Sequence, residues 1–205
     1  LQTQLPAALW PRLVLAATRM GLPAEAVQRL QPWMLSTLLT VRLADTVGFR
    51  TDQGVDLWLA GVAKAANKPL WALETVERQI AALSGGGDAA QLAALTEAVE
   101  LIESGKARAY FQRMLAAWRA GDAAALDHLL REELSSEAMA PLFVEMLDRR
   151  NREMADTLIQ HLAKGGRPFV AVGAGHFGGA SGLLAELTGR GYRLRQVVAP
   201  AVGND

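Results

Sequence analysis

The stretch Pro168-Phe169-Val170-Ala171-Val172-Gly173-Ala174-Gly175-His176-Phe177-Gly178-Gly179 constrains this chain more than any other. An apolar, β-favouring run leads into a glycine-rich turn that holds one histidine. A continuously apolar run bounded by turn residues reads as a buried strand. Glycines just past its end let the backbone take positive φ and approach a ligand closely. A helix is expected to follow from Ser181. In open α/β sheets ligands sit outside the carboxyl ends of the strands, so His176 stands where chemistry is usually placed.

The rest of the chain is read around that stretch. Helical spacing predicts Leu5 to Met20, Ala24 to Leu30 and Pro32 to Thr46, with Gly21-Leu22-Pro23 between the first two. Val55, Trp58, Leu59, Val62 and Ala66 form a helical stripe. Leu70-Trp71-Ala72-Leu73 follows as a short strand, and Glu74 stands at its end before a helix from Val76 to Leu83, repeating the placement of His176. Beyond the flexible break Ser84–Asp88, with Asp88 as an expected N-cap, helices are predicted at Ala89 to Ser104, Ala107 to Ala120, Ala123 to Glu133 and Glu137 to Ala163. Gly165-Gly166 then delivers the chain into the strand Phe169 to Val172. A closing strand is expected over Tyr192 to Val198.

These elements imply an α/β (α+β) protein, mostly helical by content, with a small mixed β-sheet and a large helical insertion. The reading is one domain over 1–205. It has a helical lead-in at 1–53, an α/β core at 54–84 and 166–198, and the insertion at 85–165. Three strands are too few for a stable sheet, so further strands are expected from sequence outside this stretch. Leu1 stands where a Met would begin a natural chain, which agrees.

Composition narrows the function. With 21 basic and 21 acidic residues the net charge is zero, which argues against a nucleic-acid partner. There is no cysteine, so disulfides, thiolate metal sites and cysteine nucleophiles are excluded. No apolar run reaches the ~18 residues of a membrane-spanning helix. There is no H-E-x-x-H, G-x-S-x-G or P-loop motif. Gly173 to Gly178 satisfies G-x-G-x-x-G, but the acidic residue a dinucleotide fold needs further on is replaced by Arg193 and Arg195.

Four residues carry the chemistry. His176 is either an acid/base or metal-binding group, or a histidine that caps a helix or bonds a carbonyl. Glu74 is either a ligand or base, or a first-turn carboxylate favoured by the helix dipole. On the long helix, Phe143, Leu147, Met154, Leu158 and Leu162 define an apolar stripe with Asn151 in its middle and Arg150 on its edge. Both need partners there, in a structural network or around a polar cavity, because an unpaired buried polar group costs roughly 1–3 kcal/mol. His128 lies amid Asp127 and Arg131 on a short, mostly exposed helix, and His161 stands near the end of a helix, where a cation suits the dipole.

Taken together, the motifs resemble those of the TraB/GumN family. Gly54-Val55-Asp56 and Lys68-Pro69-Leu70-Trp71-Ala72-Leu73-Glu74-Thr75, followed by Gln79, are similar to its middle motif. Arg150-Asn151-Arg152-Glu153-Met154 is similar to its helical motif. Val170 to Gly179, then Gly182-Leu183-Leu184 and Gly191-Tyr192, resemble its C-terminal signature. The resemblance spans nearly the whole chain.

The family includes the Tiki proteins, described as metal-dependent peptidases, and is related to erythromycin-esterase and ChaN-like proteins. The resemblance implies a metal-dependent hydrolase, a peptidase, with Mn or Zn held by His176 and Glu74 and with Arg150 and Asn151 orienting substrate. It also implies two G-x-x-H motifs, of which only Gly173 to His176 is in this chain, so the chain alone is expected to be inactive. The alternative is a non-catalytic envelope protein that uses the same cleft for a peptide, haem or polysaccharide-related ligand. The expected setting is bacterial and periplasmic or otherwise extracytoplasmic.

Overall fold

The computed structural model describes residue 2, residues 5–131 and residues 136–197. Eleven α-helices run along it: α1 Leu9–Arg19, α2 Ala24–Arg29, α3 Pro32–Thr46, α4 Val55–Ala65, α5 Val76–Leu83, α6 Gly87–Ser104, α7 Ala107–Ala120, α8 Ala123–Arg131, α9 Ala140–Phe143, α10 Arg149–Ala163 and α11 Leu183–Gly189. Pro11 falls in the first turn of α1 and Pro32 begins α3, where a missing N–H costs little. The expected cap Asp88 is not used. Gly86, at φ 79°, stands at the N-terminus of α6. A Cβ there would lie 2.8 Å from Leu142 Cα, so glycine is required by both the positive φ and the close approach of α9.

The largest core forms where α1, α2, α3 and α6 meet. Leu13, Leu35, Leu39, Leu95, Val27 and Val99 are fully enclosed there, each side chain contributing about 1.5–3 kcal/mol by leaving water. A second cluster joins α10 to α11 through Met154, Ala155, Leu158, Leu183 and Leu187. A third joins α7 to α8 through Ala117, Leu126 and Leu129, with Ala174 of the histidine turn packed against it.

The expected β-sheet is absent: the described residues contain no strand, and the fold is all-helical. The 54–84 and 166–198 pieces are therefore not an α/β core. Residues 68–72, 167–173 and 192–197 lie outside all helices and form no strand; Val198 falls outside the described residues. The physical reason is visible at Phe169 to Val172. Val170 and Val172 are half-buried against the α10–α11 cluster, as are Leu73 and Tyr192, whereas Phe169 is 82% exposed. Alternate side chains find their apolar neighbour on a helix pair, and no strand is beside them to accept a ladder. Apolarity directs burial but does not supply a hydrogen-bonding partner.

The other feature that sequence reading did not anticipate is the exposure of α4. None of its residues is buried, and Val55, Trp58 and Val62 of its stripe face solvent. The long helix predicted from Glu137 is a composite. A 3₁₀ turn at Glu137–Met139 leads into α9, and a π-helical turn at Val144–Asp148 leads into α10. π turns re-aim the residues that follow them, and those here are Arg150 and Asn151. The predicted ends of the preceding helix and linker, Glu132 to Ser135, lie outside the described residues.

Candidate functional site

The site is built on the first turn of α10. Asn151 is completely buried and Arg150 is 8% exposed. The Asn151 amide nitrogen donates to the Ser181 carbonyl at 2.8 Å. Its Oδ1 is then an acceptor only, and it lies 2.7 Å from His176 Nδ1. The Nδ1 nitrogen must therefore carry the proton, and Nε2 keeps its lone pair. His176 as a whole retains 8% exposure.

His176 reaches this position through a 3₁₀ turn, Ala174–His176, closed by its own N–H on the Gly173 carbonyl at 2.9 Å. Burial holds the imidazole below its ordinary pKa, the Arg150 guanidinium pushes the same way, and Glu74 opposes them. His176 is accordingly neutral near pH 7, with Nε2 as its basic nitrogen.

Glu74 precedes α5, whose cap is the neighbouring Thr75, accepting from Arg78 N–H at 3.1 Å. The Glu74 carboxylate instead receives a fork from Arg150: Nε donates to Oε2 at 2.8 Å and Nη2 to Oε1 at 2.5 Å. Arg150 Nη1 also donates to the Met146 carbonyl at 2.8 Å. One N–H on each terminal nitrogen is left over. Four residues on, in α5, Arg78 donates to Glu153 of α10 at 2.6 Å, so two ion pairs of opposite sense fasten α5 and the residue before its cap to α10.

The four predicted residues are thus brought together as two linked pairs, His176 with Asn151 and Glu74 with Arg150. Both oxygens of Glu74 are committed to Arg150, and the described residues contain no group of three or more His, Cys, Asp or Glu arranged to hold an ion. As they stand, His176 and Glu74 supply two candidate ligands, one short of the three protein ligands of a catalytic zinc site.

Two contacts were missed by the sequence reading. His161 stacks on Trp71, ring centroids 4.4 Å apart and 8° from parallel. Arg131 of α8 joins Asp127, at 2.7 Å, to Asp148, at 2.5 Å. The i, i+4 spacing of Asp127 and Arg131 was the available signal; their relation to Asp148 was not legible.

An all-helical protein with a histidine held as one tautomer beside a buried arginine–carboxylate pair defines the class. The sequence profile of the TraB/PrgY/gumN family matches residues 1–196, and the chain belongs to that family. No curated protein and no solved structure matches it.

Proposed function

We propose that this chain is a hydrolase of peptide or related acyl bonds, with His176 as general base. The observation that supports this is the 2.7 Å bond from His176 Nδ1 to Asn151 Oδ1, which leaves Nε2 as the proton acceptor. A neutral imidazole whose far nitrogen is tied to an amide oxygen is suited to deprotonating a water. The unengaged N–H groups of Arg150 would stabilise the oxyanion that forms. No step in this reading runs through a metal ion. The setting we propose is extracytoplasmic and bacterial; no described helix is long and apolar enough to cross a membrane.

The test is turnover of a quenched-fluorescent peptide library and of p-nitrophenyl esters by the full chain and by His176→Ala. Turnover lost in the variant supports the base role, and equal rates for the two proteins overturn it.

A second reading, a non-catalytic binding cleft for a peptide, haem or polysaccharide fragment, is favoured by one observation. Glu74 and Arg150 already satisfy each other at rest. Haem supplies a direct probe: a Soret shift present in the native chain and absent in His176→Ala would support this reading over the first.

A further inference from the structure

We infer that Asp127, Arg131 and Asp148 form a positioning clamp that sets the His176 ring against Asn151. Asp127 and Arg131 lie on α8 and Asp148 ends the π turn, so the clamp is outside the four residues of the site. Arg131 Nε donates to Asp127 Oδ1 at 2.7 Å and Nη2 donates to Asp148 Oδ1 at 2.5 Å. The guanidinium also lies over the Phe143 ring, 5.7 Å from its centroid. All three polar side chains are largely withdrawn from water, at 25%, 18% and 19% exposed for Arg131, Asp127 and Asp148.

Each carboxylate touches a different wall of the site. Asp127 lies against the glycine turn that carries His176. A Cβ on Gly179, whose φ is +77°, would come 2.7 Å from Asp127 Oδ2, and one on Gly178 would come 2.8 Å from Asp127 Cβ and run into the Ala123 carbonyl. One on Gly175 would come 2.8 Å from Leu130 Cδ1. The turn is therefore seated directly on α8, at distances only glycine permits. Asp148 ends the π turn, and Arg150 and Asn151 follow it in α10.

One planar guanidinium thus spans from the element beneath His176 to the element that presents Asn151. An arginine forks to two carboxylates in fixed directions, and a lysine, a point charge on a flexible stem, does not. The 2.7 Å separation of His176 from Asn151 depends on the spacing of α8 from α10, and Arg131 sets that spacing. This inference rests on the reading that Nε2 of His176 is the working atom, but its test does not use turnover.

The experiment is ¹⁵N NMR of the histidine side chains of the full chain at a fixed neutral pH, with the His176 signals assigned by His176→Gln. In the native chain the shifts are those of a single tautomer protonated on Nδ1. In Arg131→Met, Nδ1 and Nε2 shifts move toward the average of two tautomers while far-ultraviolet circular dichroism is retained, and Arg131→Lys gives an intermediate change. Should Arg131→Met fail to fold, Asp127→Asn and Asp148→Asn, which keep shape and remove one charge each, carry the test. Unchanged His176 nitrogen shifts in the folded variants overturn the clamp. Absence of hydrolysis in the native chain with the tautomer shift intact overturns the hydrolase reading and leaves the clamp standing.

Discussion

Asn151 and His176, distant in sequence, meet through a 2.7 Å hydrogen bond in the interior of the protein. The bond works in one sense only, because the other end of the Asn151 amide is spent on the Ser181 carbonyl at 2.8 Å. A fully buried amide with both ends engaged has no low-cost substitute. Asn151→Leu fills the volume but leaves the Ser181 carbonyl and His176 Nδ1–H without partners. At about 1–3 kcal/mol for each of these two groups, a loss of about 2–6 kcal/mol is expected in urea unfolding.

The Glu74–Arg150 fork should show strong coupling. Glu74→Gln removes the countercharge from an arginine side chain that is 9% exposed, and breaking a buried pair from one side costs about 3–5 kcal/mol. The low end is expected here, because the Glu74 side chain retains 18% exposure. In a double-mutant cycle, Glu74→Gln with Arg150→Met should cost clearly less than the two single changes added together. Additive losses would show that the pair is not energetically linked.

Two glycines near α11 offer a controlled contrast. A Cβ on Gly182 would collide with the Gly178 and Phe177 carbonyls, whereas one on Gly189 meets nothing within 4 Å. Gly182→Ala should therefore destabilise by several times more than Gly189→Ala, which stays within about 1 kcal/mol of the native chain or gains slightly from helix propensity. Thermal unfolding of the two variants side by side checks this.

Acid should weaken the fold partly through His176. Burial first, and Arg150 second, hold its pKa below the ordinary value of 6.5. The unfolded chain therefore binds a proton that the native chain resists. Stability contributed by this group is complete above about pH 6.5 and falls as pH drops from there toward the folded-state pKa. In His176→Gln the slope of unfolding free energy against pH across that window should flatten; an unchanged slope would assign the acid sensitivity to other groups.

Trp71 and His161 predict a modest effect. Their stacked rings, 4.4 Å apart, join the extended segment before Glu74 to α10. Trp71→Ala should cost about 0.5–1.5 kcal/mol, far less than truncation of a core aromatic, because Trp71 remains 58% exposed. Trp58→Lys on the open face of α4 should shift stability by no more than about 0.5 kcal/mol while lowering the binding of an apolar dye such as ANS.

Local signals in the chain determined where helices stand. Apolar spacing, proline at a first turn and glycine past an end act within a few residues, and α3, α5 and α7 follow from them. The motif pattern from Gly54 to Tyr192 likewise marks the TraB/PrgY/gumN family without reference to a fold. What the extended segments pair with was not local. Phe169 to Val172 has the composition of a strand, yet a strand exists only if another backbone lies beside it, and in this structure its inward side chains dock on α10 and α11 instead. The partners of the site residues are equally a tertiary matter. Glu74 and Arg150 are 76 residues apart and Asn151 and His176 are 25 apart. Sequence could name each as polar and awkwardly placed, but not say which would meet. Packing decided that, because burying a charged or amide group obliges it to find its complement wherever the helices bring one within reach.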